Sequence, residues 1–302
     1  MTATWQDAGW LAEAHAWIRE ALGAEPVGPV EQTHLRAWST VMRVPTPDGD
    51  VWFKANAPGT SHEAALVSVL SDRAPEVVPP LLAVDLERGW MLMADAGSRL
   101  REVIAAEQSL DRWLDVLPRY AELQRAVEGD ARELVALGVP EVSLATLPER
   151  YERMLDELPG DVARFRAAVP RVRELCEEVA AYGVSETIQH DDFHDGQVYV
   201  HEHGYRIIDW GDAVVSHPFF SLSVALEGVI QWGLEDVEGS VDTAPFRDAY
   251  LRSFGGGREL ADAVEPALRL GWAARAVATH AAGGEEPDRH HARLRMFLDG
   301  GP

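Results

Sequence analysis

The sequence of 302 residues is poor in lysine, in cysteine and in long apolar runs. Its single cysteine, Cys176, excludes a disulfide within the chain, as expected for a protein of a reducing compartment. No apolar run approaches the roughly 18 residues of a membrane helix. The start, MTATWQDAGW, lacks the basic segment and apolar block of a secretory signal. These absences predict a soluble, cytoplasmic protein.

Positive charge is scarce as well. Asp and Glu number 50 and Lys and Arg only 27, so the formal net charge is −23. A field of this sign repels nucleic acid and anionic lipid, and it permits a cationic substrate. The same charge is typical of genomes that favour acidic residues and arginine, so it does not identify a substrate. We expect a small-molecule partner, no nucleic acid and no membrane.

The near-absence of lysine is the most informative of these shortages. Lys54, in the segment VWFKAN, is the one residue among the 27 that is not arginine. A compact ammonium group on a flexible stem is not equivalent to a planar guanidinium group. Trp52, Lys54 and Asn56 alternate with apolar residues, which predicts a strand with Lys54 on one face. The lone lysine is therefore a candidate for a specific role.

The chain exceeds one average domain in length, and the sequence pattern changes near residue 95. Residues 5–22 have the apolar spacing of an amphipathic helix. Extended, β-rich segments then flank the turn-rich sequence PTPDGD. Residues 1–95 are therefore predicted to form a small β-rich domain with an added N-terminal helix.

Two further features complete this domain. The segment SHEAALVSVL is predicted to form a helix that is capped by Ser61 and has Glu63 in its first turn. Short strands are predicted around Leu81–Val84 and Trp90–Ala94, where they would extend the small sheet.

Residues 96–302 are predicted to form a larger, mainly helical domain. Helical periodicity occurs around residues 109–128, 147–157, 161–182, 217–232, 243–254 and 258–281. The one interruption, residues 187–215, contains VYVHEHGYRIID, which is typical of a β-hairpin turned at Glu202–Gly204. Cys176 lies in an apolar helical stripe, so we predict that it packs in the core and is not a nucleophile.

The same interruption contains the polar segment IQHDDFHDGQVYV. His190, Asp192 and, five positions later, Gln197 have the spacing of a kinase catalytic loop. The predicted hairpin returns the chain to IIDWGD, which brings Asp209 beside this loop. Phosphoryl transfer needs a cation at the nucleotide phosphates, a carboxylate at magnesium and a second carboxylate at the attacking hydroxyl. Since Mg²⁺ prefers carboxylate and amide oxygens, Asp209 and Gln197 are candidate ligands.

These motifs resemble those of the aminoglycoside phosphotransferase-like enzymes, which are small-molecule kinases of the protein-kinase-like fold. HDDFHDGQV is similar to their loop motif His-Gly-Asp-Leu-His-Pro-Gly-Asn, and IDWGD is similar to their metal-binding Ile-Asp-x-x-Asp. The resemblance covers most of the chain. It implies an α+β, bilobal fold with a small β-rich N-lobe, a larger helical C-lobe, and ATP or GTP bound with Mg²⁺ in the cleft.

The resemblance also implies roles for residues of the loop and the metal site. Asp192 would orient and deprotonate the acceptor hydroxyl, and Asp209 would hold magnesium together with Gln197. Supporting, structural roles would fall to His190, His194 and Asp212.

For the nucleotide, the resemblance implies that Lys54 grips the α- and β-phosphates while Glu63 pairs with Lys54. The hinge segment from Met93 to Asp95 would meet the adenine. The loop at residues 36–40 would lie over the phosphates through Ser39 and Thr40.

The chain departs from the family pattern in its catalytic loop. Gln197 replaces asparagine, so its amide oxygen lies one methylene farther out and would bind a metal more loosely or through water. Asp191 replaces glycine and Asp195 replaces proline, which adds two carboxylates. These two would either contact a cationic acceptor or be solvated, and we predict the second. No GxGxxG precedes Lys54, which argues against a protein kinase.

Two alternatives remain open from the sequence. His190, Asp191, His194 and Asp195 could be zinc or iron ligands of a metallohydrolase, although their spacing is tight for one loop. The second alternative is a kinase-like protein that binds nucleotide or ligand with little turnover. The replacement of asparagine by Gln197 leaves this alternative open.

The acceptor is not encoded in any motif. The resemblance permits an aminoglycoside or other antibiotic, an amino sugar, a sugar or an amino alcohol. Several carboxylates could form an acidic acceptor pocket, although in so acidic a chain we expect most of them to be surface residues: Glu227, Glu235, Asp236, Glu285, Glu286 and Asp288.

Overall fold

The computed structural model describes residues 5–283 and 287–299. Contacts between residues divide the chain into two compact units. The first contains the described residues up to Gly97 together with His201–Gly211, and the second contains Ser98–Val200 and the described residues from Asp212 onward. The segment that carries IIDWG therefore folds with the first unit, although the residues before and after it in the sequence belong to the second.

Helices and strands alternate at first, and helices dominate later. The helices of the described residues are α1 (Ala8–Leu22), α2 (Glu63–Arg73), α3 (Leu100–Glu107), α4 (Trp113–Ala126), α5 (Ala131–Ala136), α6 (Leu147–Glu157), α7 (Ala163–Ala167), α8 (Val169–Ala180), α9 (Ala244–Leu251), α10 (Arg258–Ala282) and α11 (Pro287–Asp299). The strands are β1 (Glu31–Leu35), β2 (Ser39–Thr46), β3 (Gly49–Asn56), β4 (Leu81–Asp85), β5 (Trp90–Ala94), β6 (Ser98–Arg99), β7 (Thr187–Gln189), β8 (Val198–His201), β9 (Gly204–Ile207) and β10 (Val214–Ser216).

An antiparallel sheet of five strands, in the order β1-β2-β3-β5-β4, forms the centre of the first unit. The predicted strands around residues 81–84 and 90–94 are confirmed as β4 and β5. β3 is the middle strand, and its Lys54 is in register with Val41 of β2 and Met91 of β5. Strand pairing on both sides therefore holds the backbone of Lys54 in one place.

Helix α1 packs on this sheet through an aromatic core. Asp7 caps its first turn, and Gly23 ends it in the left-handed conformation with φ 64°. The core includes Phe53 and Trp90, whose ring centroids are 5.5 Å apart. Because side chains alternate along a strand, Phe53 in this core places the neighbouring Lys54 on the opposite face of β3.

Helix α2 begins at Glu63, and the prediction that Ser61 caps it is wrong. Ser61 Oγ donates instead to the carbonyl of Pro58, in the 3-10 turn Pro58–Thr60 that precedes the helix. His62 occupies the N-cap position. The predicted place of Glu63 in the first helical turn is confirmed.

The second unit contains most of the helices. α4, α6, α8, α9 and α10 lie in predicted helical regions, and Cys176 is buried on α8 as expected. The sequence did not predict α3 and α5, which are 8 and 6 residues long and too short for a clear helical period. It also did not predict α11, which follows a glycine-rich segment.

The predicted helix over residues 217–232 is wrong, because this segment is a series of short turns. A 3-10 turn covers Pro218–Phe220, a π-helical turn covers Ser223–Glu227, and another 3-10 turn covers Ile230–Trp232. Gly228 interrupts the series where a Cβ atom would lie 2.7 Å from a carbonyl oxygen. Apolar spacing does not distinguish such turns from an α-helix.

Helix α10, with 25 residues, passes very close to these turns. A Cβ atom at Gly271 would lie 2.0 Å from Ser223 Oγ and 3.0 Å from the carbonyl oxygen of Phe220, so glycine is required there. Arg275 follows one helical turn later on the same side of the helix. None of the described helices is both long and apolar enough to cross a membrane.

His217 is completely buried between β10 and the turn Pro218–Phe220. Its Nδ1 accepts a hydrogen bond from the Phe219 amide, and burial lowers the pKa of the imidazole to about 3. An unfolded histidine titrates near pH ~6.5. The stability from a neutral His217 is therefore complete above pH ~6.5 and decreases as the pH falls toward 3.

We expect His217 to make the fold acid-sensitive. Its contribution to the free energy of unfolding should be about 1.4 kcal/mol lower at pH ~5.5 than at pH ~7.5. Urea unfolding of the wild type and of His217→Asn at both values measures this difference, since Asn retains an acceptor for the Phe219 amide. Equal pH slopes in the two proteins would contradict the assignment.

Candidate active site

The ammonium group of Lys54 lies between two carboxylates in the first unit. Lys54 is 6% exposed, and its Nζ is 2.8 Å from Glu63 Oε1 and 2.6 Å from Asp209 Oδ1. Asp209 is 155 positions away in the sequence. The pairing of Lys54 with Glu63 was implied by the family resemblance, and the structure brings Asp209 to the same ammonium group.

Glu63 connects Lys54 to several other groups of the first unit. Its carboxylate is 1% exposed, and it accepts hydrogen bonds from Lys54, from Asn56 Nδ2 and, at 2.9 Å, from the backbone amide of Trp210. Several donors are needed because an uncompensated buried carboxylate is costly. Glu63 therefore ties helix α2 and strand β3 to the segment that carries Asp209.

The charges of Lys54, Glu63 and Asp209 do not cancel. Burial lowers the pKa of Lys54, but the nearby carboxylates of Asp209 and Glu63 outweigh burial and raise it above its ordinary value. Lys54 is therefore always an ammonium ion. The side chain of Asp209 is 48% exposed and its backbone is in the left-handed region, with φ 66°. One cation between two carboxylates leaves a local negative charge on the exposed side, where a metal ion could approach.

The other residues assigned to the nucleotide have less distinctive positions. Ser39 and Thr40 are buried at the start of β2, and the Thr40 hydroxyl donates to the carbonyl of His34 within the β1–β2 hairpin. Met93 is partly buried near the end of β5. Asp95 is exposed, and its carboxylate accepts from the Trp52 indole at 2.8 Å.

In the second unit, the catalytic-loop segment follows strand β7, which pairs with β10. His190 is buried and its backbone amide donates to the Tyr120 hydroxyl at 3.0 Å. Phe193 is also buried, with its ring stacked on that of Tyr120 at a centroid distance of 4.0 Å. These contacts anchor the loop on both sides of Asp192.

Asp192 is held by three side chains of the same unit. The Arg275 guanidinium contacts Asp192 Oδ1, and His194 Nε2 and Gln197 Nε2 each lie 3.3 Å from Oδ2. Burial raises the pKa of Asp192, but the hydrogen bond from His194 and the charge of Arg275 outweigh burial and hold it well below its usual range. Asp192 is therefore a fixed carboxylate that accepts hydrogen bonds.

The prediction that Asp191 and Asp195 are solvated is wrong. Asp191 is 2% exposed, and its φ of 65° is the left-handed conformation that glycine adopts easily and aspartate tolerates. Burial raises its pKa, partly opposed by Arg275. Asp195 Oδ1 is instead paired with Arg101 Nη2 at 2.7 Å. Asp195 is thus held by a tertiary ion pair, and Asp191 is buried near Arg275.

His194 stabilises the loop through hydrogen bonds to two of its residues. Its Nδ1 accepts from the Gly196 amide at 2.9 Å, which leaves Nε2 to donate to Asp192. A Cβ atom at Gly196 would lie 2.6 Å from the His194 ring, so this glycine is required. Among the described residues, no group of three or more histidine, cysteine, aspartate or glutamate side chains is arranged to hold a metal ion. The metallohydrolase alternative thus finds no support.

Of the carboxylates considered for an acidic acceptor pocket, most of those described are surface residues, as expected. Glu227 accepts from the Trp272 indole at 2.6 Å, and three others are exposed: Glu235, Asp236 and Asp288. Glu285 and Glu286 lie outside the described residues. Asp212 is exposed, and its charge contributes to raising the pKa of Arg275, against the lowering effect of burial.

Three residues that contact Glu63, His190 or Asp192 were not predicted from the sequence. Asn56 shares a strand face with Lys54, so its contact with Glu63 could have been inferred from the alternation. Tyr120 and Arg275 gave no such signal, because they lie 70 positions before His190 and 83 positions after Asp192. Only the packing of α4 and α10 places them at the loop.

Solved structures similar to this chain share its architecture at low sequence identity. A choline/ethanolamine kinase family protein from Mesorhizobium loti is 17% identical, with 95% of this chain and 99% of that chain covered and a TM-score of 0.60. Choline kinase LicA from Streptococcus pneumoniae is 14% identical, with 95% and 98% covered and a TM-score of 0.62. APH(2")-IIia, in complex with GDP and kanamycin, is 14% identical, with 94% and 97% covered and a TM-score of 0.59.

These similarities show the fold, which is α+β and kinase-like as predicted. No curated protein matches the chain. A family model, the phosphotransferase enzyme family, matches residues 30–270, which is most of the sequence. The chain therefore belongs to the phosphotransferase enzyme family and is a phosphotransferase.

Proposed function

We propose that this enzyme transfers the γ-phosphoryl group of ATP or GTP, bound with Mg²⁺, to a hydroxyl group of a small molecule. The observation that carries the proposal is the contact of Lys54 Nζ with both Glu63 and Asp209. A buried ammonium next to an exposed carboxylate offers a cation for phosphate oxygens and an anion for a metal ion. Both are needed to bind a metal–nucleotide complex.

Lys54 supplies the positive charge for the nucleotide phosphates. Its ammonium group stays protonated because Asp209 and Glu63 raise its pKa. Glu63, which also accepts from the Trp210 amide, fixes the direction of the ammonium group. A phosphate oxygen can then bind Lys54 without any rearrangement of the buried pair, which keeps the cost of binding low.

Asp209 and Gln197 are the residues that would hold Mg²⁺. Both present hard oxygen donors, and the half-exposed side chain of Asp209 is accessible to a cation. The Gln197 amide nitrogen faces Asp192, so the amide oxygen is the atom that would bind the ion. The bound ion would neutralise phosphate charge that develops during the reaction.

Asp192 acts on the acceptor. Because Arg275 and His194 keep it ionised, it can accept a hydrogen bond from the acceptor hydroxyl and hold the oxygen in line with the phosphorus atom. Its low pKa makes it a weak base, which suits a loose transition state in which the hydroxyl proton leaves late. Orientation is therefore its main contribution.

The role of Lys54 in nucleotide binding can be tested separately from its effect on folding. Lys54→Met leaves Glu63 buried without its cation, so we expect roughly 3–5 kcal/mol lower stability in urea unfolding and loss of nucleotide binding in calorimetry. Lys54→Arg should not restore binding, because the guanidinium is wider and planar.

The double variant Lys54→Met/Glu63→Gln serves as the control for the lysine. It removes both buried charges, so stability should recover in part while nucleotide binding stays lost. Nucleotide affinity that recovers together with stability would show that Lys54 has no direct role.

Asp192→Asn should strongly reduce turnover without changing the affinity for the nucleotide. We expect kcat to fall roughly a hundredfold to ten-thousandfold while nucleotide affinity changes little. An ATP-consumption screen over antibiotics, amino sugars, sugars and amino alcohols, followed by phosphorus NMR of the product, provides the assay. Asp156→Asn, which changes an exposed surface carboxylate, is the matched control.

Unchanged turnover in Asp192→Asn would refute the role assigned to Asp192. Nucleotide binding without turnover in the wild type would favour the binding-protein alternative.

Asp209→Asn should act through the metal. Half-saturation by Mg²⁺ should need roughly tenfold or more magnesium, because even indirect partners of metal ions have effects of that size. The measurement is a magnesium titration of nucleotide binding for the wild type, Asp209→Asn and Asp156→Asn. A normal magnesium requirement in Asp209→Asn would contradict its role as a ligand.

A further inference from the structure

The backbone makes a tight turn immediately before the side chain of Asp192. The Asp192 amide donates to the His190 carbonyl at 2.9 Å, which closes a three-residue turn with Asp191 at its centre. Asp191 has a φ of 65°. A three-residue turn with positive φ at its centre is rare and strained when the central residue is not glycine. The place of Asp192 therefore depends on contacts that hold this turn in shape.

Tyr120, on helix α4, binds the first residue of the turn. Its hydroxyl accepts from the His190 backbone amide at 3.0 Å, while the carbonyl of His190 accepts from the Asp192 amide. Both backbone groups of His190 are thus engaged, one by Tyr120 and the other by Asp192. Two hydrogen bonds through a single residue therefore connect the phenol oxygen to the backbone of Asp192.

The ring of Tyr120 binds the residue on the other side of Asp192. It stacks on the Phe193 ring, with centroids 4.0 Å apart and planes inclined by 21°. Trp113, two turns earlier on α4, contacts the same phenylalanine edge-on at 5.7 Å. Asp192 thus lies between a residue bound by the Tyr120 hydroxyl and a residue bound by the Tyr120 ring. One side chain fixes the backbone on both sides of the carboxylate.

The direction of the Tyr120 hydroxyl is set by two further partners. Gln124, one turn later on α4, donates to it from Nε2 at 3.3 Å, and the Ser221 hydroxyl lies 2.6 Å away. Because the phenol oxygen accepts from His190 and from Gln124, its single proton is donated to Ser221. Tyr120 and His190 are both completely buried, so water cannot replace the phenol oxygen as the acceptor of the His190 amide.

Other side chains direct the carboxylate of Asp192. Arg275 and His194 contact its oxygens, and Arg275 also reaches the carbonyl of Asp191. A shift of the backbone at Asp192 would carry the carboxylate away from these partners. Displacement of a reacting group by about 1 Å can cost roughly a hundredfold in rate. The backbone contacts of Tyr120 and the side-chain contacts of Arg275 are therefore complementary.

We propose that Tyr120 is a positioning residue for phosphoryl transfer. Through the backbone of His190 and the ring of Phe193, it holds Asp192 where the acceptor hydroxyl can be oriented. The inference rests on the proposed function, because it assigns Tyr120 a part in the step that Asp192 is proposed to perform. Tyr120 acts through Asp192 and is not itself a catalytic residue.

A matched pair of variants separates positioning from packing. Tyr120→Phe keeps the ring and removes only the hydroxyl that binds the His190 amide. Tyr250→Phe, on α9, removes a hydroxyl that is equally buried and is bound to the same glutamine, since Tyr250 donates to Gln124 Oε1 at 2.5 Å. Among the described residues, the hydrogen-bond partners of that hydroxyl are Gln124 and Pro218. The two variants should lose similar stability in urea unfolding.

The kinetic measurement is ATP consumption with the best acceptor of the screen, or with water where no compound is phosphorylated. We expect the kcat of Tyr120→Phe to fall about tenfold to a hundredfold, because Asp192 loses its exact place. The KM for ATP should stay unchanged, since loss of kcat alone indicates an interaction that matters only in the transition state. Tyr250→Phe should leave both constants unchanged.

Hydrogen–deuterium exchange followed by mass spectrometry tests the position of the loop without turnover. Peptides that cover residues 187–198 should exchange about tenfold or more faster in Tyr120→Phe than in the wild type, because loss of an anchoring hydrogen bond favours local opening. Tyr250→Phe should leave the exchange of these peptides unchanged. Each protein is measured well below its melting temperature, so that global unfolding does not contribute.

Three results would overturn the inference: unchanged loop exchange in Tyr120→Phe, a kcat equal to that of the wild type, or equal losses of kcat in the two variants. Equal losses would show that buried hydroxyl groups act through overall stability. Faster loop exchange in Tyr120→Phe, with no ATP consumption by the wild type under any condition, would count against the proposed function. It would remove the role of Tyr120 in the reaction and leave its anchoring of the loop standing.

Discussion

In each unit of this protein a buried cation is paired with carboxylate side chains, two in the first unit and one in the second. In the first unit Lys54 contacts Glu63 and Asp209, and in the second Arg275 contacts Asp192 and the backbone of Asp191. A buried charge without a partner is so unfavourable that each cation requires its acids in place. The same pairing therefore also sets the direction of the carboxylates of Asp209 and Asp192.

The choice of cation differs between the units for a physical reason. The ammonium of Lys54 is compact, so it fits between the carboxylates of Glu63 and Asp209. The guanidinium of Arg275 is wide and planar, so it spans a backbone carbonyl and a carboxylate at once. In a chain where every other basic residue is arginine, the one lysine marks the place where a wide group does not fit.

The sequence by itself determined the features that depend on neighbours along the chain. These are the strand that carries Lys54, the first-turn position of Glu63, the burial of Cys176, and the spacing from His190 to Gln197. It also determined the family, since the loop and IDWGD motifs are short and local. Only the tertiary structure decided which distant groups meet: Arg275 at Asp192, Trp210 at Glu63, and the turns that replace the expected helix over 217–232. Periodicity and spacing report local conformation, while these contacts depend on how whole elements pack, and packing is set by the shapes of residues far apart in the sequence.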